Sequence, residues 1–263
     1  RFPDHDIVTE ETAIALTGSR HRWLIDPLDG TDEFGQGRAD FAVHVALWLE
    51  VAADAAWPWA FSARQEIRLT EDSLHLHLSI TNREPEAAMP VGLGFHPYFP
   101  RRSGTRLTAP CAAVWRTDAE VMPIAVETGE SVDRLRAGMD LDEEAFDNNF
   151  AGWERVARID WPADTSGPRR HLVMEAEAGL DYFVLYNPAG LDHFCAEPVS
   201  QCTDWLNLDG RFGHDALGGA RLGPGGVGQL GVVLRVLRKP LRRQRLQRVE
   251  RLARACFRVC LCV

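Results

Sequence analysis

Three residues that can transfer protons stand beside apolar or aromatic runs in the middle of the chain. His96 follows an apolar run in VGLGFHPYFP, with Tyr98 two residues later. Asp147 stands beside two amides in FDNNFAGW, and Glu197 interrupts an apolar stretch in FCAEPVS. Because an unpaired buried carboxylate is costly, Glu197 needs a structural partner or a chemical role. A histidine and a carboxylate can donate and accept protons near neutral pH, so these residues indicate general acid–base chemistry.

Each of the three residues also has a purely structural interpretation. His96 could be a core histidine whose ring bonds a backbone carbonyl, Glu197 could cap a turn, and Asp147 could be the acid of an Asx turn. We favour the chemical interpretation because His96 stands within HPYF and is accompanied by the downstream Glu197.

The elements that must position these residues have the pattern of short β-strands. Apolar or alternating runs at 67–95, 171–176, 182–187 and 232–237 are separated by Gly, Pro and Asn turns. Frequent prolines leave little room for helices, and the stretch 131–136 is the one helix candidate in the middle of the sequence. This pattern favours a mainly β protein, a sandwich or barrel, over a βαβ fold.

The composition is that of an ordinary globular protein, with 45% hydrophobic and 25% charged residues. No window reaches the roughly 18 uninterrupted apolar residues of a membrane-spanning helix. The acidic N-terminal stretch RFPDHDIVTEE argues against a signal peptide. Six cysteines form no paired CxxC motifs, so we expect free thiols and a cytoplasmic location.

Charge is unevenly distributed along the chain. From Val236 onward there are nine Lys or Arg and one Glu, which gives this stretch a net charge of +8. Because the whole chain has a net charge of −9, the preceding 235 residues have a net charge of −17. An acidic body disfavours nucleic acid and suits a neutral or cationic small molecule. We therefore expect no nucleic-acid or membrane partner, and the sequence leaves the oligomeric state open.

Composition divides the chain into three segments, at 1–50, 51–236 and 237–263. In the first, Asp-Pro and Asp-Gly pairs at 26–30 predict a turn between two strands. The basic third segment could form an amphipathic helix for a membrane surface or an acidic partner. Because its composition matches nothing before it, we interpret this tail as an adventitious extension.

The middle segment resembles the aldose 1-epimerase (galactose mutarotase) family over about 57–235. The resemblance is carried, in order, by LSITNREPEAAMPVGLGFHPYFP, FDNNFAGW and FCAEPVSQCTDWLNL. It implies a large antiparallel β-sandwich that needs no metal and no organic cofactor. It also implies an isomerase that interconverts the anomers of a sugar, either an aldohexose or its phosphate.

The same resemblance assigns roles to individual residues. Glu197 matches the family's catalytic base and His96 its acid, while Asp147 matches a residue that holds sugar hydroxyls. Aromatic rings such as Tyr98, Phe99 and Trp153 are suited to contact the apolar face of a pyranose. A carbohydrate-binding sandwich without catalysis is an alternative for this segment.

The N-terminal segment resembles a different family, the inositol monophosphatase superfamily, and most nearly its bisphosphate nucleotidases. IVTEET followed by DPLDGT carries the resemblance, which implies Mg²⁺ ligation by Glu10, Asp26, Asp29 and Thr31. It covers about 45 residues, and the family's later Trp-Asp motif is absent from the sequence. A Mg²⁺-dependent phosphatase is therefore the alternative function, and weak divalent binding is the stronger expectation.

The two resemblances together suggest a fusion of two truncated coding regions. The sandwich lacks the strands that precede Trp57 in its family, and the phosphatase-like fragment stands in their place. We therefore expect exposed sheet edges, exposed core surface and reduced stability.

Overall fold

The computed structural model describes residues 6–9, 17–29, 42–55, 57–70, 72–165, 167–237 and 257–258. Over these residues the chain is mainly β, as predicted. The strands are β1 (Asp6–Thr9), β2 (His21–Asp29), β3 (Ala42–Val51), β4 (Phe61–Leu69), β5 (Ser73–Asn82), β6 (Met89–Val91), β7 (His96–Pro100), β8 (Arg106–Thr108), β9 (Ala113–Thr117), β10 (Pro123–Glu127), β11 (Met139–Asp140), β12 (Phe146–Ala151), β13 (Val156–Trp161), β14 (Arg170–Ala176), β15 (Tyr182–Asn187), β16 (His193–Val199), β17 (Ala220–Leu222), β18 (Val227–Leu237) and β19 (Phe257–Arg258).

Three helices accompany the strands in the described residues: α1 (Glu130–Ala137), α2 (Trp205–Leu208) and α3 (His214–Leu217). Helix α1 confirms the predicted helix candidate. It carries acidic residues in its first turn and basic residues in its last, which suits the helix dipole, and it buries Val132 and Leu135. Helices α2 and α3 have four residues each and were not predicted. None of the described helices is long and apolar enough to cross a membrane.

The chain divides into two compact units, and the first comprises residues 1–91 and 221–233. Its strands lie in the order β1-β2-β3-β4-β5-β18, and β6 pairs with β17 in a separate ribbon. Strands β2 to β5 are antiparallel neighbours, while β1 runs parallel to β2. Every second residue of β5 from Leu74 to Ile80 is buried, so one face of this sheet is apolar.

The edge of β4 is paired, which corrects the expectation of an exposed edge at the start of the sandwich. Strand β3 pairs with β4 along its whole length, from Val51 opposite Phe61 to Val43 opposite Leu69. In this register Val45 lies opposite Ile67, and Ile67 lies opposite Leu76 of β5, so apolar rows continue across the junction. The N-terminal segment thus supplies a neighbouring strand to the first strand that follows it.

The turn predicted at 26–30 is absent from 26–29, because β2 continues through Pro27 to Asp29. Its register with β3 shifts between Asp26 and Asp29. Proline has no N–H to donate to a sheet ladder, which accounts for an interruption at this point.

The second unit comprises residues 92–220 and 234–263 and contains two sheets. One has the order β14-β13-β8-β11, and the other has the order β10-β9-β12-β15-β16-β7-β19. Trp161 of β13 donates its indole N–H to the Pro100 carbonyl at the end of β7, at 2.7 Å, and its ring packs on Phe99. The two sheets therefore face each other across an apolar core, which confirms the sandwich. Of the basic tail, only β19 lies within the described residues beyond Leu237.

Candidate active site

The register of strands β7 and β16 brings two of the predicted residues together. These strands are antiparallel, and Tyr98 lies opposite Cys195. Continuing the register by two residues places His96 directly opposite Glu197. Because side chains alternate along a strand, all four side chains lie on the same face of the sheet.

The other face of the same strands is the core of the second unit. Phe99, Phe194 and Phe183 are at most 2% exposed and alternate with the residues of the polar face. Phe99 packs on Phe194, and Trp153 packs on Phe183 with ring centroids 5.0 Å apart. Phe99 and Trp153, which the sequence offered as sugar-stacking rings, therefore belong to the core, and Tyr98 lies on the polar face.

The imidazole of His96 and the carboxylate of Glu197 are in direct contact. His96 Nδ1 lies 3.3 Å from Glu197 Oε1. The Glu197 side chain is 8% exposed and that of His96 is 22% exposed, so the pair is buried on the Glu197 side and reachable on the His96 side. The ring of Tyr98 stacks on the imidazole with centroids 4.9 Å apart and planes within 4°, which fixes the orientation of the imidazole. The ring of Tyr98 also contacts the ring of His193, with centroids 5.5 Å apart.

Asp147 lies in the same row of the sheet as Tyr98. It pairs with Tyr186 of β15, which pairs with Cys195 of β16. Two strand spacings, roughly 10 Å, separate the backbone of Asp147 from that of β16, with Tyr186 between them in the row. Partial burial raises the pKa of the Asp147 carboxyl, and the charge of His96 opposes that rise. Asp147 and His96 therefore share one electrostatic environment.

Two polar residues of this face were not singled out from the sequence. Cys195 is fully buried, and the ligand atoms of His96, Cys195 and Glu197 all lie within 4.8 Å of one another. The Cys-x-Glu spacing, combined with the two-residue period of a strand, could have identified it. Asn149 is buried in the row of Glu197 and donates from its side-chain amide to the Gln201 carbonyl at 3.1 Å.

An apolar cluster bounds the polar face on one side. Val184, which lies between Asn149 and Glu197 in the sheet, packs against it. Helices α2 and α3 contribute three of its seven buried members, and the buried residues of the cluster are Trp115, Tyr182, Val199, Cys202, Trp205, Leu208 and Leu217. Gly218 closes α3 with φ +66°, and a Cβ there would lie 2.4 Å from the Ser200 carbonyl oxygen. The segment that returns to the sheet thus requires a glycine at this position.

The structure describes the N-terminal metal-ligand candidates only in part. Glu10 and Thr31 lie outside the described residues. Asp26 and Asp29 lie on β2, where their backbones pair with His44 and Ala42 of β3. The Mg²⁺ site implied by the phosphatase resemblance therefore stays a prediction.

Comparisons with known proteins match the two parts of the chain to two families. Residues 35–216 match the aldose 1-epimerase family, and residues 1–56 match the inositol monophosphatase family. A solved structure from Escherichia coli K12, described as a candidate aldose 1-epimerase, is 26% identical with a TM-score of 0.62, over 74% of this chain and 65% of that one. A galactose mutarotase-like protein from Clostridium acetobutylicum shows the same fold, with a TM-score of 0.67 at 18% identity. The match covers 83% of this chain and 67% of that one.

Curated relatives match each part separately. The uncharacterised protein YphB of Escherichia coli is 30% identical over 157 residues, which are 55% of this chain and 51% of that protein. A fructose-1,6-bisphosphatase/inositol-1-monophosphatase of Aquifex aeolicus is 52% identical over 46 residues, 18% of this chain and 17% of that protein. The chain thus spans about half the length of the first relative and less than a fifth of the second. With more than half of its residues matched, the chain belongs to the aldose 1-epimerase family, and it carries an N-terminal segment that matches part of the inositol monophosphatase family.

Proposed function

We propose that the chain interconverts the α and β anomers of an aldohexose or its phosphate, as an isomerase of the aldose 1-epimerase type. The observation that carries the proposal is the contact between His96 and Glu197, 3.3 Å apart on the polar face of the sandwich. The family membership supports a sugar substrate, and the adjoining Tyr98 and Asp147 supply contacts that suit one.

The reaction needs a proton acceptor and a proton donor that are close neighbours. Opening the pyranose removes a proton from the C1 hydroxyl, breaks the bond between C1 and the ring oxygen, and adds a proton to that oxygen. Both oxygens are bonded to C1, so the two catalytic groups must meet at one carbon atom. Glu197 and His96 satisfy this requirement because their polar atoms already lie side by side.

In the proposed cycle, Glu197 accepts the hydroxyl proton while His96 in its protonated form donates to the ring oxygen. Both side chains are then uncharged beside an open-chain aldehyde. Rotation about the C1–C2 bond presents the other carbonyl face, and the two proton transfers reverse as the ring closes. The cycle returns both groups to their starting protonation states, so it requires no cosubstrate and, we propose, no cofactor.

Asp147 and Tyr98 have binding roles in this proposal. The Asp147 carboxylate accepts hydrogen bonds from sugar hydroxyls, while Tyr98 offers a ring face and holds the imidazole of His96 in place. Val184 and the apolar cluster beyond it limit the access of water to the Glu197 side.

Polarimetry of freshly dissolved α-glucose or α-galactose tests the proposal. The protein should accelerate the approach to the equilibrium rotation, and Glu197→Gln should lower that acceleration by roughly 10²–10⁴-fold. Glu175→Gln, which removes an exposed carboxylate on β14 that pairs with Arg235, is the matched control and should leave the rate unchanged. An unchanged rate in Glu197→Gln would remove the proposed base, and sugar binding without any acceleration would select the carbohydrate-binding alternative.

A Mg²⁺-dependent phosphatase is the second candidate, favoured by the match of residues 1–56 to the inositol monophosphatase family. It predicts phosphate release from an inositol phosphate or adenosine bisphosphate that requires Mg²⁺. The release should disappear with a chelator or in Asp26→Asn. We place this function second because the match covers about a fifth of the chain.

A further inference from the structure

We propose that His96, Cys195 and Glu197 form a binding site for a thiophilic divalent cation, best represented by Zn²⁺. Their ligand atoms, an imidazole nitrogen, a thiol sulfur and a carboxylate oxygen, all lie within 4.8 Å of one another. In a tetrahedral zinc site with metal–ligand bonds of about 2.0–2.3 Å, donor atoms lie roughly 3.3–3.8 Å apart. Small side-chain rotations therefore suffice to bring the three donors onto one ion.

The sheet itself fixes these three donors. Glu197 lies opposite His96 across one strand pair, and Cys195 lies two residues before Glu197 on the same strand and face. Residues two apart on one strand have side chains on the same face of the sheet, and so do residues directly opposite each other on paired strands. Such side chains are therefore neighbours. The backbone positions are thus set by the ladder, and the stacking of Tyr98 holds the imidazole ring.

The donor types select the class of metal. A thiolate favours zinc, cadmium or copper(I), whereas Mg²⁺ and Ca²⁺ prefer a full shell of oxygen ligands. Three protein ligands leave a fourth position for water, and the partly exposed side of His96 is the route by which the ion and that water reach the site. The site is chemically distinct from the predicted all-oxygen ligand set in the N-terminal segment.

Occupation of this site has a consequence for the proposed reaction. A bound cation would use the Glu197 oxygen and the His96 nitrogen that the acid–base cycle needs, so it should block epimerisation in competition with the sugar. The binding itself does not depend on the proposed function, whereas the inhibition does.

Titration of the full-length chain with Zn²⁺ alone, and with Cd²⁺ alone, tests the site without any sugar present. Cys256, Cys260 and Cys262 offer further thiols near the C-terminus, so the titrations use a background in which these three are replaced by Ser. We expect one ion per chain by calorimetry and a sulfur-to-cadmium absorption band in the ultraviolet. Mg²⁺ should produce no comparable heat.

Cys195→Ser should remove the cadmium band and weaken Zn²⁺ binding by at least about tenfold, since even the loss of an outer-shell partner costs about 10–100-fold in metal affinity. Cys111→Ser, which changes a buried thiol elsewhere in the unit, is the matched control and should bind as the background does. Should Cys195→Ser fail to fold by circular dichroism, His96→Gln provides the same test. Absence of binding in the background, or equal binding with and without the Cys195 thiol, overturns the proposal.

Discussion

Glu197 lies directly across a strand pair from His96, with its Oε1 atom 3.3 Å from the imidazole Nδ1. About a hundred residues separate the two in the sequence, and the antiparallel pairing of β7 and β16 brings them together. The opposite face of the same strands is core, so the backbone beneath the pair is held rigidly. Such a contact can carry out two proton transfers at one carbon atom.

The two groups should act as a unit. His96→Gln and Glu197→Gln should each lower the acceleration of mutarotation by roughly 10²–10⁴-fold. The double variant should be no slower than the slower single variant, because each change already prevents the concerted transfer. Polarimetry on the three variants measures this, and losses that multiply in the double variant would show two independent contributions.

Asp147 should affect sugar binding more than the chemical step. Asp147→Asn removes a charged hydrogen-bond acceptor, which is worth about 1.5–3 kcal/mol, so we expect KM to rise roughly 10–100-fold with kcat changed far less. Asp192→Asn, at a fully exposed carboxylate, is the control and should leave both constants as they are. A fall in kcat with KM unchanged in Asp147→Asn would contradict a binding role.

Asp147 also predicts a pH dependence of that binding. Partial burial raises the pKa of its carboxyl, so the proton-accepting form is lost at a higher pH than for an ordinary aspartate. As the pH falls through this raised pKa, KM should increase in the wild type, whereas KM in Asp147→Asn should not follow the same curve. KM measured from neutral to acidic pH in both proteins checks this, and parallel profiles would exclude Asp147 as the titrating group.

Gly218 should be needed for stability of the segment beside the site. In Gly218→Ala the new Cβ meets the Ser200 carbonyl and Tyr182 at a backbone φ of +66°, so we expect a loss of about 2–4 kcal/mol in the free energy of unfolding. Gly210→Ala, at φ +86° with open space around it, should cost only about 1–2 kcal/mol. Urea unfolding of both variants provides the comparison, and equal losses would show that the close contact has no effect.

Strand β3 should stabilise the first unit as a sheet neighbour of β4. Ala46→Pro places a residue without an N–H in a strand that pairs on both sides, so we expect a loss of about 3 kcal/mol or more and lower solubility. Ala53→Pro, in the exposed segment after β3, should have a much smaller effect. Urea midpoints and the soluble fraction give the readout. A wild-type midpoint in Ala46→Pro would show that the N-terminal segment does not complete this sheet.

The sequence identified two residues that the structure brings together, but it described their surroundings less well. His96 and Glu197 stand out because polar residues in apolar runs are rare, and alternation along a strand then assigns each a face. Cys195 was overlooked, although its two-residue spacing from Glu197 places it on that face. The sequence does not predict that His96 lies directly opposite Glu197, because strand register between distant segments is set by packing of the whole sheet.

Two further features depended on tertiary context. The pairing of β3 with β4 joins segments that match different families, and no local pattern identifies such a pairing. The apolar residues of β3 were nevertheless visible in the sequence, since Val43, Val45 and Leu47 lie two residues apart. Helices α2 and α3 are single turns, too short for a helical period to be read from the sequence.

A crystal structure of the Glu197→Gln variant with a bound aldohexose tests the acid–base pair directly. Removing the base while keeping the shape of the side chain should trap the closed ring. We predict that the side chain at position 197 and His96 both approach the anomeric carbon, the first within hydrogen-bonding distance of the C1 hydroxyl and the second of the ring oxygen. A sugar bound with its C1 atom away from these two side chains would exclude His96 and Glu197 as the acid–base pair.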